Sequence, residues 1–285
     1  QRTGVTAAQY GNIASIGGGD FGGAKSIVGG NPGLEPEQAD TWSAGFILTP
    51  DFLPSLSLSV DYFNIRLEKA IEGPNPRVIL DECLRTGLAE FCGKIQRDPT
   101  SGTLSLGDAH ILAINTNVAF FETSGVDINA DYSFDMGAGG DIALSLVGTY
   151  LDELTYQEHV VSPVVDCAGA LQPFCFQTSF KWASNLRTVW ITPWDASVSL
   201  TWRYLGDVQD KWPAGTLPTN IPIESRNYFD LSAIWDVTDT VTVRLGVNNL
   251  LDEAPPLWLD GDNGNTFGSY DPLGRYWFTG LSLRL

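Results

Sequence analysis

Four cysteines in two close pairs are the residues of this sequence best suited to covalent chemistry. Eight residues separate Cys83 from Cys92, and seven separate Cys167 from Cys175. A disulfide in either pair would close a short loop, which lowers the entropy of the unfolded chain and stabilises the fold by ~2–3 kcal/mol. Free thiols and metal ligation remain alternatives, although metal sites usually show C-x2-C spacing and more ligands. Disulfides indicate an oxidising compartment, such as the periplasm or the cell surface.

The other polar residues form no catalytic constellation. The two histidines, His110 and His159, are far apart in the sequence and too few for a histidine-rich metal site. No G-x-S-x-G, P-loop or H-E-x-x-H motif occurs. The acidic segment 260–265 resembles a calcium loop in composition but lacks the glutamate and glycine spacing of an EF-hand, so a solvated loop is favoured. We therefore predict that the protein is not an enzyme, and we predict neither a cofactor nor a metal site.

The composition excludes some partners and favours one fold class. With 16 basic and 34 acidic residues the net charge is −18, which argues against nucleic-acid binding because phosphate contacts need Lys and Arg. Aromatic residues and Gly are abundant and Met occurs once, a balance typical of strands and turns. No stretch of about 18 apolar residues predicts a transmembrane helix.

Apolar and polar residues alternate with a period of two along much of the chain. In the segment 56–62, for example, Leu58 and Val60 share one face while Ser59 and Asp61 take the other. This alternation is typical of strands whose two faces meet different surroundings. It predicts nine strands, at about 40–50, 56–71, 111–135, 140–155, 182–193, 196–206, 226–236, 239–249 and 274–285.

The connections between these strands alternate between short and long. The short ones are 50–54, 135–140, 193–195 and 236–239, and the long ones are 72–110, 156–181, 207–225 and 250–273. A soluble sandwich keeps most loops short, whereas an outer-membrane barrel has short periplasmic turns and long extracellular loops. Aromatic residues near strand ends suit the interfacial girdles of such a barrel: Trp42, Tyr150, Trp182, Trp194, Tyr204, Tyr228 and Trp235. The sequence therefore predicts an all-β, transmembrane, antiparallel up-and-down barrel.

The same topology gives an expected orientation. If the long loops are extracellular, the last strand runs inward and Leu285 lies at the periplasm, so residues 1–39 form an extracellular loop segment. Bacterial single-chain barrels have an even number of strands with both ends in the periplasm. Nine strands within 40–285 therefore predict the C-terminal part of a barrel, with further strands upstream.

Five segments of the sequence resemble the motifs of one family, in its order. They are N-P-G-L-E-P-E at 31–37, V-D-Y-F-N-I at 60–65, T-S-G-V-D at 123–127, V-N-N-L-L-D at 247–252 and Y-D-P-L-G-R at 270–275. This set resembles the TonB-dependent outer-membrane transporters. We expect an architectural role for the motif residues, because Pro and Gly shape strand entries and Asn and Asp suit corners. These residues are Asn31, Pro32, Leu34, Pro36, Glu37, Gly125, Asn249, Leu250, Asp252, Asp271, Pro272, Gly274 and Arg275.

The resemblance implies a barrel of about 22 strands around a plugged lumen, in contact with outer-membrane lipid. It also implies energy coupling to the TonB complex through an upstream segment, and uptake of a nutrient such as iron-siderophore, cobalamin, haem or an oligosaccharide. Polar side chains would face the lumen, where they meet water, the plug or substrate: Asp61, Asp127, Asn129, Asp131, Arg203, Arg244 and Arg284. The sequence does not single out ligand-binding residues. A passive porin, and a soluble β-sandwich binding module, are the alternatives.

The cysteine spacing generates a test on the exported, full-length protein. Non-reducing peptide mapping should find Cys83 linked to Cys92 and Cys167 linked to Cys175, because each partner is the nearest in sequence. A reduced and alkylated sample serves as the control. Recovery of all four cysteines as free thiols would contradict the disulfide assignment.

Overall fold

The computed structural model describes residues 25–117, 120–157, 164–171, 178–210, 221–256 and 269–284, which form two compact units. The elements, in chain order, are β1 Ser26–Gly29, β2 Gln38–Leu48, β3 Ser57–Glu68, β4 Ile71–Glu72, α1 Pro76–Thr86, α2 Ala89–Cys92, β5 Ile95–Gln96, β6 His110–Ile114, β7 Thr116–Asn117, β8 Phe120–Asp135, a 3-10 turn Gly137–Gly139, β9 Asp141–Gln157, β10 Val165–Asp166, β11 Ala170–Leu171, β12 Trp182–Ile191, β13 Ala196–Leu205, β14 Val208–Asp210, β15 Ile221–Ile223, β16 Arg226–Thr238, β17 Val241–Asn248 and β18 Tyr276–Leu283.

One large sheet contains nine long strands in sequence order. Its neighbours run β2, β3, β8, β9, β12, β13, β16, β17, β18, and the short β10 pairs with β9. The pairs from β9 to β18 are antiparallel. Over the described residues, β2 and β18 do not pair with each other, so the barrel is not closed within this chain. The predicted all-β, up-and-down run of nine strands is confirmed.

The register of this sheet separates an apolar face from a polar one. One row crosses β9, β12, β13 and β16, and its paired residues are, in order, Leu144, Thr188, Leu200 and Leu231. The next row joins Ser145, Arg187, Thr201 and Asp230 on the opposite face. Side chains of paired residues lie on the same side of a sheet. The alternation in the sequence is therefore matched by whole rows of the sheet.

Aromatic side chains on the apolar face pack near the ends of the strands. The rings of Trp202 and Phe229 stack with centroids 6.2 Å apart, and the indole N–H of Trp202 donates to Asn227 Oδ1 at 2.8 Å. Near the short turns, Trp190 donates to the carbonyl of Gly139 and meets Trp194 edge to face at 5.9 Å. Rings with one polar atom suit a membrane–water interface.

Gly125 permits a close approach between neighbouring strands. A Cβ at this position would lie 2.4 Å from the carbonyl oxygen of Tyr150 and 2.8 Å from the ring of Phe63. Gly125 and its neighbour Ser124 are buried. The glycine of the T-S-G-V-D segment thus has a steric reason, since any side chain would push β8 away from the backbone beside it.

The predicted strand 111–135 is wrong at its start, because β8 begins at Phe120. Residues 110–114 and 116–117 form β6 and β7, which belong to two small sheets of another unit. Ile111 and Ala113 are almost fully buried there in a protein core. The alternating burial along β6 therefore reflects a small core rather than contact with lipid.

The first compact unit contains the described residues of Gln1–Ala39, Leu67–Phe121 and Gln157–Val164. Its sheets are β1–β6–β5 and β4–β7, and its core is formed by Ile79, Leu80, Leu104, Ile111 and Ala113. A disulfide joins Cys83 in α1 to Cys92 in α2, with Cα atoms 4.8 Å apart. The predicted long loop 72–110 is thus a folded segment with its own core.

Helix α1 begins and ends at residues that favour these positions. The Asn75 side chain accepts a hydrogen bond from the Arg77 N–H at 2.9 Å, and Pro76 occupies the first turn. Gly87 ends the helix in the left-handed region, at φ 67°. An Asn cap, an early Pro and a terminal Gly are standard helix signals.

The second compact unit comprises the described residues of Asp40–Arg66, Glu122–Tyr156 and Val165–Leu285. Besides most of the large sheet it contains the small sheet β11–β14–β15. Leu171, Val208 and Ile223 form a core there, with Phe180 packed against it. Cys167, beside β10, is disulfide-bonded, while its predicted partner Cys175 lies outside the described residues.

Among the described residues, no helix has the length and apolar character needed to span a membrane.

The two faces of β13 can be tested with one pair of variants. Leu200→Arg places a charge on the apolar face near the middle of the strand, where a bilayer would penalise it by ~2–4 kcal/mol. Thr201→Arg places the same charge on the polar face, opposite Asp230, and should reduce folded yield much less. The measurement is the folded fraction of the full-length protein in lipid vesicles, by heat-modifiable electrophoretic mobility. Equal yields would contradict the assignment of the faces.

A second pair of variants tests the close approach at Gly125. Gly125→Ala should destabilise the folded barrel by ~1–3 kcal/mol, because the added methyl overlaps backbone. Gly280→Ala, in β18, is the matched control. A Cβ at Gly280 would lie 3.8 Å from the Arg244 Cβ, which is an ordinary van der Waals contact. Urea titration of the folded full-length protein measures both. A Gly125→Ala midpoint equal to that of Gly280→Ala would show that β8 can move aside.

Candidate functional site

The polar face of the large sheet carries the predicted lumen-facing residues, and most of them stay separate. Asp127 accepts a hydrogen bond from the Thr149 hydroxyl at 2.6 Å, and Asn129 donates to Ser59 Oγ at 3.4 Å. Among the described residues no ion pair involves the side chains of Asp61, Asp131, Arg244 or Arg284. Of the predicted group, only Arg203 joins a cluster of charged groups.

A shallow hollow on this face lies towards the short-turn ends of β3, β8, β9 and β12. Its volume is about 200 Å³, and Asp131, Ser145 and Arg187 provide its polar lining. Arg187 donates from Nε to the Ser199 hydroxyl at 3.0 Å. The hollow therefore offers one carboxylate and one guanidinium to water or to a polar surface.

Arg203 is paired with two carboxylates from different parts of the chain. Its Nε lies 2.8 Å from Asp230 Oδ2, and its Nη2 lies 2.5 Å from Asp271 Oδ2. The guanidinium also lies over the ring of buried Tyr228, with Cζ 4.9 Å from the ring centroid. β13, β16 and the segment before β18 supply these groups, at the strand ends that lead to the long connections. A planar guanidinium with several donors fits two carboxylates better than an ammonium would.

Asn249 forms a tight corner directly after β17 and is fully buried. Its backbone N–H donates to Asp230 Oδ1 at 2.8 Å. Its side chain accepts the Glu253 N–H and donates to the Glu253 carbonyl, both at 2.8 Å. Asn249 and Asp252 both have positive φ, at 50° and 60°, which Asn and Asp tolerate better than most residues.

Asp252 connects this corner to the segment that precedes β18. Its Oδ1 accepts the Arg275 N–H at 2.8 Å, and the Arg275 Nη1 donates to the Leu250 carbonyl at 3.3 Å. Gly274 has φ 66°, and a Cβ there would lie 2.8 Å from Asp252 Oδ1. The V-N-N-L-L-D and Y-D-P-L-G-R segments, distant in sequence, therefore meet through direct hydrogen bonds.

The N-P-G-L-E-P-E segment makes a similar set of contacts in the first unit. Asn117 accepts the Glu35 N–H at 2.9 Å, and its amide donates to the carbonyls of Glu35 and Lys69 at 2.8 and 2.7 Å. Glu37 accepts the Ile71 N–H at 2.7 Å. Asn31 Nδ2 donates to the Asn115 carbonyl at 3.1 Å. The motif therefore holds the chain leaving β3 and the chain around β7.

Charge and burial shift several ionisable groups in the long connections. The hydrogen bond and ion pair with Lys69 lower the pKa of Glu35. Burial raises the pKa of Asp81 and lowers that of Arg97. The pKa of Asp98 is lowered by hydrogen bonds, first from the backbone and hydroxyl of Ser101. Burial raises the pKa of Tyr270 to about 12. Local polar contacts therefore set the pKa values of Glu35 and Asp98, whereas burial sets those of Asp81, Arg97 and Tyr270.

Sequence patterning misses two features, the pairing of Asp230 and the presence of helix α1. Asp230 belongs to an alternating strand and looks like any other polar-face residue, so its pairing with Arg203 leaves no sequence signal. Helix α1 does leave one, in Asn75, Pro76 and Gly87.

His159, Cys175, the acidic segment 260–265 and Leu285 lie outside the described residues. In the described part of the chain, no group of three or more His, Cys, Asp and Glu side chains could hold a metal ion. The thirteen motif residues keep their predicted architectural role as a proposal, which the contacts of Asn31, Glu37, Asn249, Asp252 and Arg275 support.

Comparison with solved structures finds the same fold in iron and siderophore receptors. The ferric enterobactin receptor of Pseudomonas aeruginosa, in complex with BCV-L6, matches 92% of this chain and 34% of its own, with 17% identity and a TM-score of 0.62. The siderophore receptor PirA of Acinetobacter baumannii matches 90% and 33%, with 13% identity and a TM-score of 0.59. The FrpB iron transporter of Neisseria meningitidis (F3-3 variant) matches 93% and 33%, with 13% identity and a TM-score of 0.54. The chain spans about a third of these proteins.

Sequence comparison identifies the family. No curated protein gives a significant match to the chain. The family model described as TonB dependent receptor-like, beta-barrel, matches residues 2–250. The family model and the structural neighbours describe receptors and transporters rather than enzymes, in agreement with the lack of a catalytic motif in the sequence. The chain therefore belongs to the TonB-dependent receptor-like β-barrel family, whose members are outer-membrane proteins of Gram-negative bacteria.

Proposed function

We propose that the protein is an active uptake receptor for a scarce nutrient, with iron-siderophore complexes as the first candidate class. The family match over residues 2–250 carries this proposal. The solved structures of the same fold add to it, because their names include a ferric enterobactin receptor, a siderophore receptor and an iron transporter. Cobalamin, haem and oligosaccharides are the other classes that a nutrient receptor of this kind could take.

The chemistry of the described residues supports binding and passage rather than reaction. One face of the large sheet presents apolar rows to lipid, and the other presents separate polar and charged side chains. The described long connections are held by hydrogen bonds at their bases. Such connections give a surface whose shape persists when a ligand arrives, which lowers the entropic cost of binding.

Energy coupling forms the second part of the proposal. A sheet that only lines a pore can conduct solutes passively, so concentrating a scarce nutrient needs an outside energy source. We infer that a plug and a segment contacting the TonB complex, both upstream of residue 1 in the full-length protein, supply this coupling. The polar side chains Asp61, Asp131, Arg187 and Arg244, none of which has an ion-pair partner among the described residues, would then face the plug or the water around it.

Growth under iron limitation tests the proposal. The full-length gene should restore growth of a Gram-negative host that lacks its own ferric enterobactin receptors, with ferric enterobactin as the sole iron source. Restored growth should disappear when the host tonB gene is deleted, because uptake against a gradient then has no energy source. Empty vector is the control, and haem and cobalamin in matched auxotrophs extend the panel.

Two results would contradict the proposal in different ways. Growth that persists without TonB would indicate a passive porin. Failure with ferric enterobactin but TonB-dependent rescue with haem or cobalamin would keep active uptake and replace the substrate class.

A further inference from the structure

We propose that Arg203 is a positioning residue that holds together the segment 249–253, after β17, and the segment 270–275, before β18. Its role in nutrient capture rests on the uptake function proposed above. Arg203 lies in none of the five family-like segments, and sequence patterning assigns it only to the polar face. The structure gives it a specific task at the long-connection ends of four strands.

The guanidinium distributes its donors over both carboxylates. Nε and Nη2 reach Asp230 at 2.8 and 3.3 Å, and Nη1 and Nη2 reach Asp271 at 3.1 and 2.5 Å. The three side chains are only 21–29% exposed. Without Arg203, two partly buried carboxylates would face each other across a space of reduced dielectric, and their repulsion would separate the segments.

Each of the two carboxylates connects Arg203 to a different segment. Asp230 Oδ1 also accepts the Asn249 N–H, so this carboxylate fixes the corner that Asn249 closes onto Glu253. Asp271 directly precedes Pro272, whose ring restricts φ, and this short stretch leads to Arg275. The Arg275 N–H in turn bonds Asp252 in the first segment. Arg203 is therefore the shared partner of a ring of contacts that runs through both segments.

A purely local stabilising role predicts a different pattern from a positioning role. If Arg203 only stabilised the sheet, its loss would loosen neighbouring strands evenly. A positioning role predicts that loosening is confined to 249–253 and 270–275. It further predicts that the two carboxylates divide this effect between the segments.

Hydrogen exchange of the full-length protein in nanodiscs tests the proposal without any ligand. Arg203→Gln should speed amide exchange in both segments, by about tenfold at the Asn249 amide, where a charge-assisted bond loses its support. Asp271→Asn should affect mainly 270–275, and Asp230→Asn mainly 249–253. Arg203→Lys keeps the charge but loses the fork, and should give an intermediate effect.

Arg244→Gln is the matched control for these variants. Arg244 lies on the polar face of β17, two strands from the β13 strand of Arg203, and forms no ion pair among the described residues. Its loss should therefore leave exchange in both segments unchanged. Equal exchange in wild type and Arg203→Gln would overturn the proposal. So would faster exchange spread over all strands, or an equal effect of the control. A variant that fails to assemble is replaced by Asp271→Asn, for which the segment-specific pattern decides the same question.

A binding measurement separates this inference from the proposed function. Ferric enterobactin should bind wild type, and Arg203→Gln should raise its Kd by about tenfold, with Arg203→Lys giving a smaller increase. Unaltered affinity alongside faster segment exchange would overturn the role in capture. If wild type does not bind this probe, the substrate class of the proposed function fails, and the exchange pattern alone decides the positioning role of Arg203.

Discussion

The hydrocarbon core of a membrane cannot hydrogen-bond a peptide group, and this constraint governs most of the structure. Every N–H and C=O at membrane depth needs a partner inside the protein, which strands achieve only by pairing with neighbours. The register from β9 to β18 is continuous over whole strands, apart from one irregularity near Asp236. Pairing of this kind fixes which side chains share a face, so the sequence is left to decide only what each face meets.

The same constraint explains where the family-like motifs occur. At the end of a strand the ladder stops, and the last backbone groups need side chains or water as partners. The Asn117 amide donates to the carbonyls of Glu35, before β2, and Lys69, after β3. The Glu37 carboxylate accepts the Ile71 N–H. Asp230 takes the Asn249 N–H beyond β17. Hydrogen bonds made by the motif segments and by the side chains that contact them thus continue the hydrogen bonding of the sheet into the connections, which gives each connection a defined start.

Period-two patterning predicts the strands because it records a difference between two faces, but it does not record the medium. The nine long strands follow from it, as do their short and long connections. The start of β8 does not, because apolar strand residues can be buried in a small protein core, as Ile111 and Ala113 are, as well as face lipid. The contacts of Arg203 are also out of reach, since Asp230 and Asp271 lie 27 and 68 residues away and only folding brings them together. Helix α1 could have been predicted from Asn75, Pro76 and Gly87.

Arginines on one polar face differ in role because their surroundings differ. A guanidinium that is partly withdrawn from water costs free energy unless carboxylates compensate it, and Arg203 is compensated twice. Arg187 and Arg244 are exposed in the described structure and have no carboxylate partner there, so water solvates them. The hydrogen bond from Arg187 to Ser199 only joins two strands that are already paired. The paired arginine, Arg203, therefore fixes the chain, whereas the exposed arginines, Arg187 and Arg244, are free to contact the proposed plug or the water in the lumen. The long-connection end of the sheet holds the first kind, and the middle of its polar face holds the second.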